Sequence, residues 1–404
     1  MSYKNNEAII KSPPFCKNYA DTFLQIHKGE GVYLTDTSGK TYLDFGSGIA
    51  VNALGYGRQD LAEIGYEQMK KIIHISNLYT TEPAVKLAEA LTSSGDFAAV
   101  HFGNSGSEAN EAAMKYARLY SLKKKGEGHH KLLYFSNAFH GRTMGALSVT
   151  ANPKYKSSFE PLIPDCHMID YNSVEQLTKL KAPKEYAAVI VEVVQGEGGL
   201  VSLTEEMVQG LNSFCAEHDV ILIADEIQTG VGRTGHIYAS IEAGLNADII
   251  TLAKPLAAGL PLSATLIPAK IDDLLHPGDH GTTFGGGPVT TALAQKVWEI
   301  LTDKDFLKSI REKEAFLKDL LSSHMEEMGL KGEIRGKGLL CGLVLNSITA
   351  EKIPVLLNAC RKNGLLLLRS GANVIRMAPP LVINEKELRE GVNILFNTIK
   401  EIEK

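Results

Sequence analysis

The sequence predicts an α/β protein with a large, mostly parallel sheet covered by helices, together with a smaller α+β domain. Apolar runs of strand length alternate with amphipathic stretches of helical period through the middle of the chain. The runs are apolar on both faces, as strands buried beneath helices must be. The predicted strands are 132–136, 188–194, 220–224, 249–252 and 263–267.

The two ends of the chain differ from this middle region. Residues 31–34 and 41–45, separated by a turn at 36–39, predict a hairpin. Residues 339–345 alternate like a half-exposed strand, and 349–363 predict a helix that ends at Gly364. Asn384 with Glu387 has the spacing of an N-terminal capping box before an apolar helical stripe. We therefore predict an N-terminal segment (1–54) that joins the small domain, a large domain (55–287) and a small C-terminal domain (288–404).

Composition excludes several classes of protein. The chain has 404 residues, 44% of them hydrophobic, so it can bury a large core without disulfides or structural metal. A net charge of −5 without a long basic run argues against nucleic acid or an anionic membrane as a partner. The five cysteines are scattered and form no CxxC motif, which predicts neither a disulfide framework nor a thiolate metal site. With no signal peptide and no membrane-length apolar segment in the sequence, we predict a cytoplasmic protein.

Two predicted strands end in a charged side chain. The apolar run 220–224 leads into Asp225, and the run 249–252 leads through one alanine to Lys254. In open α/β sheets, ligands bind beyond the carboxyl ends of the strands. An aspartate there can hold a protonated ring nitrogen, and a desolvated lysine can form a Schiff base with an aldehyde. Taken singly, each could also be an ordinary solvated residue at a strand end.

A third motif, residues 104–121, begins with the sequence NSGSEANEAAMKYAR. Ser105 and Glu108 have capping-box spacing, which by itself predicts only a helix start. Ser105, Gly106 and Ser107 also place hydroxyl groups and a bare backbone at that helix N-terminus, where free N–H groups and the helix dipole favour a phosphate. Other phosphate, hydrolase and metalloprotease motifs are missing: the chain has no GxxxxGK[ST], no GxSxG and no HExxH.

These three features together supply a phosphate cradle, a partner for a ring nitrogen and an aldehyde-binding lysine. Pyridoxal 5'-phosphate requires that combination of groups, so we predict it as the cofactor and predict no metal.

The chain resembles the class III (subgroup II) pyridoxal-phosphate-dependent aminotransferases over nearly its whole length. The resemblance rests on ordered motifs that include NSGSEANEAAMKYAR, FHGRT, QGEGG, ADEIQTGVGRTG, LAKPLAAGLP, HGTTFGG and VIRMAPPL. It implies the fold type I architecture of pyridoxal-phosphate-dependent transferases and a homodimer with shared active sites. It also implies cofactor-binding roles for a set of residues comprising Ser105, Gly106, Ser107, Phe139, Asp225, Gln228, Lys254 and Thr283, of which Lys254 and Asp225 are the catalytic pair.

The resemblance also implies substrate-binding residues. Arg142 and Thr282 match positions that contact an acylated amino acid, and Arg376 matches the arginine that binds the α-carboxylate of glutamate. Glu197 matches a glutamate that neutralises this arginine when the ω-amino substrate is bound. The implied reaction exchanges an amino group between N2-acetyl-L-ornithine and 2-oxoglutarate in arginine biosynthesis.

Alternative substrates stay open at this stage. Ornithine, succinylornithine, succinyldiaminopimelate, acetyl-lysine or 4-aminobutyrate could replace acetylornithine, and glutamate-1-semialdehyde aminomutase shares the same scaffold. Gln228 and Glu197 argue against the aminomutase. Val193, Pro255 and Gly287 depart from the usual family motifs without removing a chemically active group.

Overall fold

The computed structural model describes residues 16–18 and 24–402. Within these residues, fifteen strands form three sheets. The strands are β1 (Ile26–Glu30), β2 (Tyr33–Asp36), β3 (Thr41–Asp44), β4 (Ala99–Gly103), β5 (Lys131–Phe135), β6 (Cys166–Ile169), β7 (Tyr186–Val191), β8 (Ile221–Asp225), β9 (Ile249–Leu252), β10 (Ser263–Ile267), β11 (Gly332–Lys337), β12 (Leu340–Leu345), β13 (Leu365–Leu366), β14 (Leu368–Ser370) and β15 (Val374–Met377).

Helices cover these sheets, and no helix of the described part of the chain is long and apolar enough to cross a membrane. The helices are α1 (Ser47–Ala50), α2 (Gln59–Lys71), α3 (Glu82–Thr92), α4 (Gly106–Lys125), α5 (Met144–Ser148), α6 (Pro153–Lys156), α7 (Val174–Thr178), α8 (Glu205–His218), α9 (Ala239–Glu242), α10 (Ala269–Asp272), α11 (Pro288–Leu301), α12 (Lys304–Glu327), α13 (Lys352–Lys362) and α14 (Glu385–Ile402).

The central sheet has seven strands in the order β4-β10-β9-β8-β7-β5-β6. Strand β10 is antiparallel to both of its neighbours, and the pairs formed by β5 through β9 are parallel. All five strands predicted from apolar runs are present, with shifts of up to three residues at their ends. The α/β prediction is thus confirmed, and its parallel character is broken only at β10.

Alternating side chains of the central strands are buried under different helices. Ile221 and Ile223 of β8 pack with the apolar face of α4, whereas Leu222 and Ala224 belong to the cluster that includes residues of α8. Because side chains alternate along a strand, Asp225 points to the α4 side of the sheet. This placement directs its carboxylate toward the N-terminal half of α4.

The N-terminal strands pair with the C-terminal region. The predicted hairpin forms from β2 and β3, and β3 pairs in parallel with β13. These contacts join the N-terminal segment to the last third of the chain. Helix α11 packs against α2 and α3 of the large predicted domain. The domain limits at 54/55 and 287/288 stay predictions.

The prediction of a half-exposed strand at 339–345 is wrong. Every residue of β12 is buried. Cys341, Leu343 and Leu345 face the main core, and Leu340 and Val344 pack with the cluster that contains Leu200. Both faces are covered because Leu340 and Val344 of β12 also pack on Val194 and Leu200, which follow β7, and the local pattern could not reveal this contact.

The helices predicted near the C-terminus are confirmed with small shifts. Helix α13 begins at Lys352, three residues later than predicted, and Gly364 follows it with a φ of +88°. The capping box before α14 is present: Glu387 N–H donates to Asn384 Oδ1 at 3.0 Å, and Asn384 N–H donates to Glu387 Oε2 at 2.8 Å. These helix ends could be predicted because a capping box and a terminal glycine depend only on residues close together in the sequence.

Candidate active site

A cavity of about 740 Å³ opens at the carboxyl ends of β8 and β9. Asp225, the last residue of β8, and Lys254, just after β9, both line it. Ten of the twelve predicted site residues line it, although they come from six separate parts of the sequence. They are Ser105, Gly106, Ser107, Phe139, Arg142, Glu197, Asp225, Gln228, Lys254 and Arg376.

The N-terminus of α4 forms one wall of the cavity. Ser105 is the N-cap: its hydroxyl accepts from Glu108 N–H at 3.3 Å, while Glu108 accepts from Ser105 N–H at 2.9 Å, which confirms the predicted capping box. The N–H groups of Gly106 and Ser107 come next and have no acceptor within the helix. A side chain at Gly106 would place a Cβ 2.8 Å from Ile227, so glycine is required for the close packing. This wall presents backbone donors and the Ser107 hydroxyl, as an anion site needs.

Asp225 is held by a buried hydrogen-bond network. Its Oδ2 accepts from Asn110 Nδ2 at 2.8 Å and lies 2.7 Å from His140 Nδ1, and its Oδ1 accepts from Ile227 N–H at 3.1 Å. Asn110 is itself oriented by Thr251, whose hydroxyl donates to Asn110 Oδ1 at 2.9 Å. These donors fix the carboxylate as an oriented negative group at the floor of the cavity.

Asn110 and His140 were missed by sequence reasoning. Both are buried and lie far from Asp225 in the chain. Asn110 is one turn into α4 in the same motif that predicted the phosphate cradle, and His140 directly follows Phe139. Their position inside or beside motifs already singled out could have identified them as candidates. Only the tertiary structure shows that both contact Asp225.

Lys254 lies just beyond β9, at the same end of the sheet as Asp225. Its backbone φ is +22°, a conformation that non-glycine residues rarely adopt and that is often retained at functional sites. Desolvation is the main effect on its amine and lowers the pKa, against an opposing effect of the Asp225 charge. A lowered pKa makes the neutral, nucleophilic amine more accessible.

Arg376 and Glu197 form an ion pair across the cavity. Arg376 Nη1 lies 2.7 Å from Glu197 Oε1 and also donates to Gly196 O at 2.9 Å. The Arg376 side chain is 4% exposed and that of Glu197 is 32% exposed. Gln228 Oε1 is 3.5 Å from the same guanidinium nitrogen. The Arg376 Nε is buried without a hydrogen-bond partner in the described residues, so the guanidinium has unused capacity.

Arg142 is presented differently from Arg376. Its guanidinium stacks over the ring of Tyr155, with 3.7 Å between Cζ and the ring centroid, and lies 5.6 Å from the ring centroid of Phe139. Its backbone N–H donates to Ser107 Oγ at 3.1 Å, which ties it to the start of α4. Among residues 24–402, the ion pairs formed by arginines do not include Arg142. This arginine is therefore available to an anionic ligand.

Glu192 is a further cavity residue that sequence reasoning missed. It directly follows β7, as Asp225 ends β8, so the same strand-end pattern could have identified it. Its carboxyl oxygens lie 3.1 Å from the N–H groups of Phe139 and of Gly196. Burial is the main cause that raises the pKa of this carboxyl group. Glu192 thereby connects the Phe139 turn to the loop that carries Glu197.

Thr282 and Thr283 do not line this cavity within one chain. Thr282 Oγ1 accepts from Asn104 Nδ2 at 3.3 Å, beside the start of α4. Thr283 lines a separate pocket of about 230 Å³ with residues of the segment 74–88. The roles of both threonines therefore stay predictions. No cluster of three or more potential metal-binding side chains occurs in the described part of the chain.

Comparison with known proteins identifies the family. The family model described as aminotransferase class III matches residues 15–399. The chain is 41% identical to a probable mitochondrial acetylornithine aminotransferase of Dictyostelium discoideum, over 93% of this chain and 83% of that protein. It is also 41% identical to a succinylornithine transaminase of Salmonella typhimurium, over 91% of this chain and 90% of that one.

The chain belongs to the class III aminotransferases. Its fold agrees with this: the ornithine aminotransferase of Toxoplasma gondii superposes with a TM-score of 0.89, at 29% identity, over 96% of this chain and 93% of that chain. The family implies pyridoxal phosphate as the cofactor, and the residues of this aminotransferase fit that group. Backbone donors at α4 suit its phosphate, Asp225 suits a cationic ring nitrogen, and the Lys254 amine suits its aldehyde.

The departures from family motifs fit their local structure. Pro255 lies in the first turn of the 3₁₀-helix Lys254–Ala257, where its missing N–H costs no hydrogen bond. Gly287 is the N-cap of α11 with a φ of −55°, which other residues can adopt. Val193 is buried at 1% exposure, consistent with an apolar side chain.

Proposed function

We propose that this aminotransferase exchanges an amino group between N2-acetyl-L-ornithine and 2-oxoglutarate, in arginine biosynthesis. The products are N-acetyl-L-glutamate 5-semialdehyde and L-glutamate. One observation carries the proposal: a single cavity contains a desolvated lysine, a fixed aspartate and two arginines. Arg376 forms an ion pair with Glu197, whereas Arg142 stacks on an aromatic ring.

We assign cofactor binding to the residues of the first cavity wall and floor. Gly106 and Ser107 bind the phosphate, Ser105 shapes the turn, Phe139 packs on the ring and Gln228 hydrogen-bonds its phenolic oxygen. Asp225 keeps the ring nitrogen protonated, and His140 and Asn110 hold Asp225 in place. When bound, pyridoxal phosphate supplies an electron sink for the carbon that loses a proton.

Lys254 has two tasks in this assignment. Its amine would hold the cofactor at its aldehyde group, and once released by the substrate it would take up and return the proton at the substrate carbon that bears the amino group. A general base works best when its pKa is near the working pH, and desolvation shifts the Lys254 pKa in that direction.

The two arginines divide the two substrates between them. Arg376 binds the α-carboxylate of glutamate or 2-oxoglutarate, for which Glu197 must give up its ion pair. Arg142 binds the carboxylate of the acylated ornithine, while Glu197 stays on Arg376 and neutralises it. A dicarboxylate and an N-acylated diamino acid can thus use the same cavity in turn without leaving a buried charge unpaired.

The names of relatives favour an N2-acylated ornithine. Two relatives at 41% identity are named for acetylornithine or succinylornithine. Succinylornithine or succinyldiaminopimelate is therefore the second candidate donor. A panel of acetylornithine, succinylornithine, ornithine and 4-aminobutyrate, each with 2-oxoglutarate, tests the proposal. We expect the highest kcat/KM with acetylornithine, and a preference for unacylated ornithine would contradict it.

A homodimer is part of the proposal. Leu78, Tyr79 and Phe284 are 84%, 72% and 66% exposed. Tyr79 and Phe284 line the small pocket together with Thr283, and Leu78 precedes Tyr79 in the chain. Large apolar side chains in such numbers on one face suggest a surface that another protein covers. In a homodimer, Thr283 would reach the phosphate of the neighbouring subunit.

The five cysteines, all within the described residues, are free, which supports a reducing compartment such as the cytoplasm.

Replacing Arg376 by alanine is expected to separate the two substrates. Loss of a charge-assisted carboxylate contact worth about 1.5–3 kcal/mol should raise the KM for 2-oxoglutarate and for glutamate by roughly 10- to 150-fold. The KM for acetylornithine should change far less, because Arg142 binds its carboxylate. Steady-state kinetics of the complete reaction, with the concentration of each substrate varied in turn, measure these KM values. Arg142→Ala is the matched control and should show the reverse pattern, while equal losses for both substrates would contradict the division between the arginines.

A further inference from the structure

Tyr155 stands beside Arg142 in the cavity without a role assigned so far. It lies on the short helix α6, whose N-cap Asn152 accepts from Lys154 N–H at 3.0 Å. Its partly buried ring covers the Arg142 guanidinium at 3.7 Å and meets the Phe139 ring edge-on, with 6.0 Å between centroids and an interplanar angle of 87°. The ring therefore links the arginine to the aromatic side chain that we place on the cofactor.

This stacking sets which edges of the arginine stay free. A guanidinium carries its N–H donors in its plane, so a ring on its face leaves the donors open to a carboxylate. The pairing also restricts the rotamers of a long, exposed side chain, which reduces the entropy that binding would otherwise lose. Arg142 is thus oriented by an aromatic ring and not by an acid, in contrast to the Arg376–Glu197 pair.

The same geometry bears on the group next to the carboxylate. In an amino acid, the α-nitrogen is attached to the carbon that carries the carboxylate, so it comes to lie near Arg142 and Tyr155. A free α-ammonium there would meet a like charge, and no acid pairs with Arg142 among residues 24–402 to compensate. Acylation removes that charge and adds a flat amide that can pack on an aromatic ring.

We propose that Tyr155 is a positioning and specificity residue for the N2-acylated substrate. Its ring orients Arg142 toward the substrate carboxylate and forms the wall against which the acylated α-nitrogen packs. This inference rests on the proposed function and adds a residue that selects acylated over unacylated donors.

The test uses purified holoenzyme in its aminated cofactor form, with which none of the three ligands can react. N-acetyl-L-norvaline has the acyl group and carboxylate but no ω-amine, L-norvaline lacks the acyl group, and glutarate probes the Arg376 side. Calorimetric dissociation constants are measured for the wild type, Tyr155→Phe, Tyr155→Leu and Tyr155→Gln, with cofactor content determined for each. The phenylalanine variant keeps the ring and is the matched control.

We expect Tyr155→Leu and Tyr155→Gln to bind N-acetyl-L-norvaline about five- to tenfold more weakly, as loss of a cation–π contact implies. Glutarate binding should stay within about twofold, and Tyr155→Phe should match the wild type on both ligands, because the ring and not the hydroxyl carries the contact. The wild-type preference for N-acetyl-L-norvaline over L-norvaline should shrink in the two variants without a ring. In these two variants the rate of the half-reaction with acetylornithine should also fall, while the rate of the half-reaction with glutamate should be retained.

Three results would overturn the inference. They are unchanged binding of N-acetyl-L-norvaline in both variants without a ring, equal weakening of glutarate, and a loss in Tyr155→Phe as large as in Tyr155→Leu. Failure of the proposed function has a different signature. In that case the wild type itself would not transaminate acetylornithine, whatever the Tyr155 variants bind.

Discussion

Replacing Lys254 by alanine is expected to reduce transamination by at least about 10⁴-fold, since proton transfer by a positioned side chain alone contributes roughly 10²–10⁴. The variant also loses the amine that holds the cofactor, which is a separate covalent contribution. No second lysine lines the cavity of the described structure to take its place. The effect should fall on kcat in both half-reactions, because both need the same proton transfer.

Single-turnover rates with acetylornithine and with glutamate measure this effect. Lys386→Ala is a suitable control, because Lys386 is exposed and lies in the first turn of α14, away from the cavity. A small primary amine added to the Lys254→Ala protein should restore part of the rate if the missing group is a base. Turnover at the wild-type rate in Lys254→Ala would refute the assignment of this lysine.

Replacing Asp225 by asparagine is expected to lower kcat by roughly 10²–10⁴-fold. Removing one partner of a buried ion pair costs about 3–5 kcal/mol, and each 1.36 kcal/mol changes a rate by about tenfold. Asparagine keeps the size of the side chain, and His140 can change tautomer to accept a hydrogen bond from it. The fold should therefore be retained while the negative charge is lost.

Glu226→Gln is the matched control for this prediction. Glu226 is the next residue, is equally buried and does not line the cavity. Its Oε1 accepts from Ser240 N–H and its Oε2 from the Thr229 hydroxyl, and burial is the main cause that raises its pKa. An amide at this position should leave kcat within about threefold, because Glu226 lies outside the cavity and the amide oxygen can still accept a hydrogen bond. Equal rate losses in the two variants, with equal falls in unfolding temperature, would show that Asp225 acts on stability alone.

Local patterns predicted a large part of the fold. The capping boxes at Ser105–Glu108 and Asn384–Glu387 depend on residues three positions apart, so their hydrogen bonds could be inferred without tertiary information. The apolar runs likewise predicted the buried strands. The prediction for β12 was wrong because burial of its second face depends on a distant segment, which supplies Leu200 and Val194.

The active-site residues divide in the same way. Asp225 and Lys254 could be identified because each follows a buried strand, and the family motifs added Arg142, Glu197 and Arg376. Their mutual arrangement could not be deduced from local pattern. Glu197 and Arg376 are 179 residues apart, and their ion pair requires β15 to pack against the loop after β7.

The sequence by itself determined the presence of the central strands, two helix caps and the chemical types of most groups in the cavity, because these depend on neighbours within a few residues. Tertiary structure decided that β8 and β9 are adjacent, that α4 brings Asn110 to Asp225, and that Tyr155 stacks on Arg142. Such contacts join segments that only close packing of the whole chain brings together, and their free energy depends on distances that no local pattern encodes.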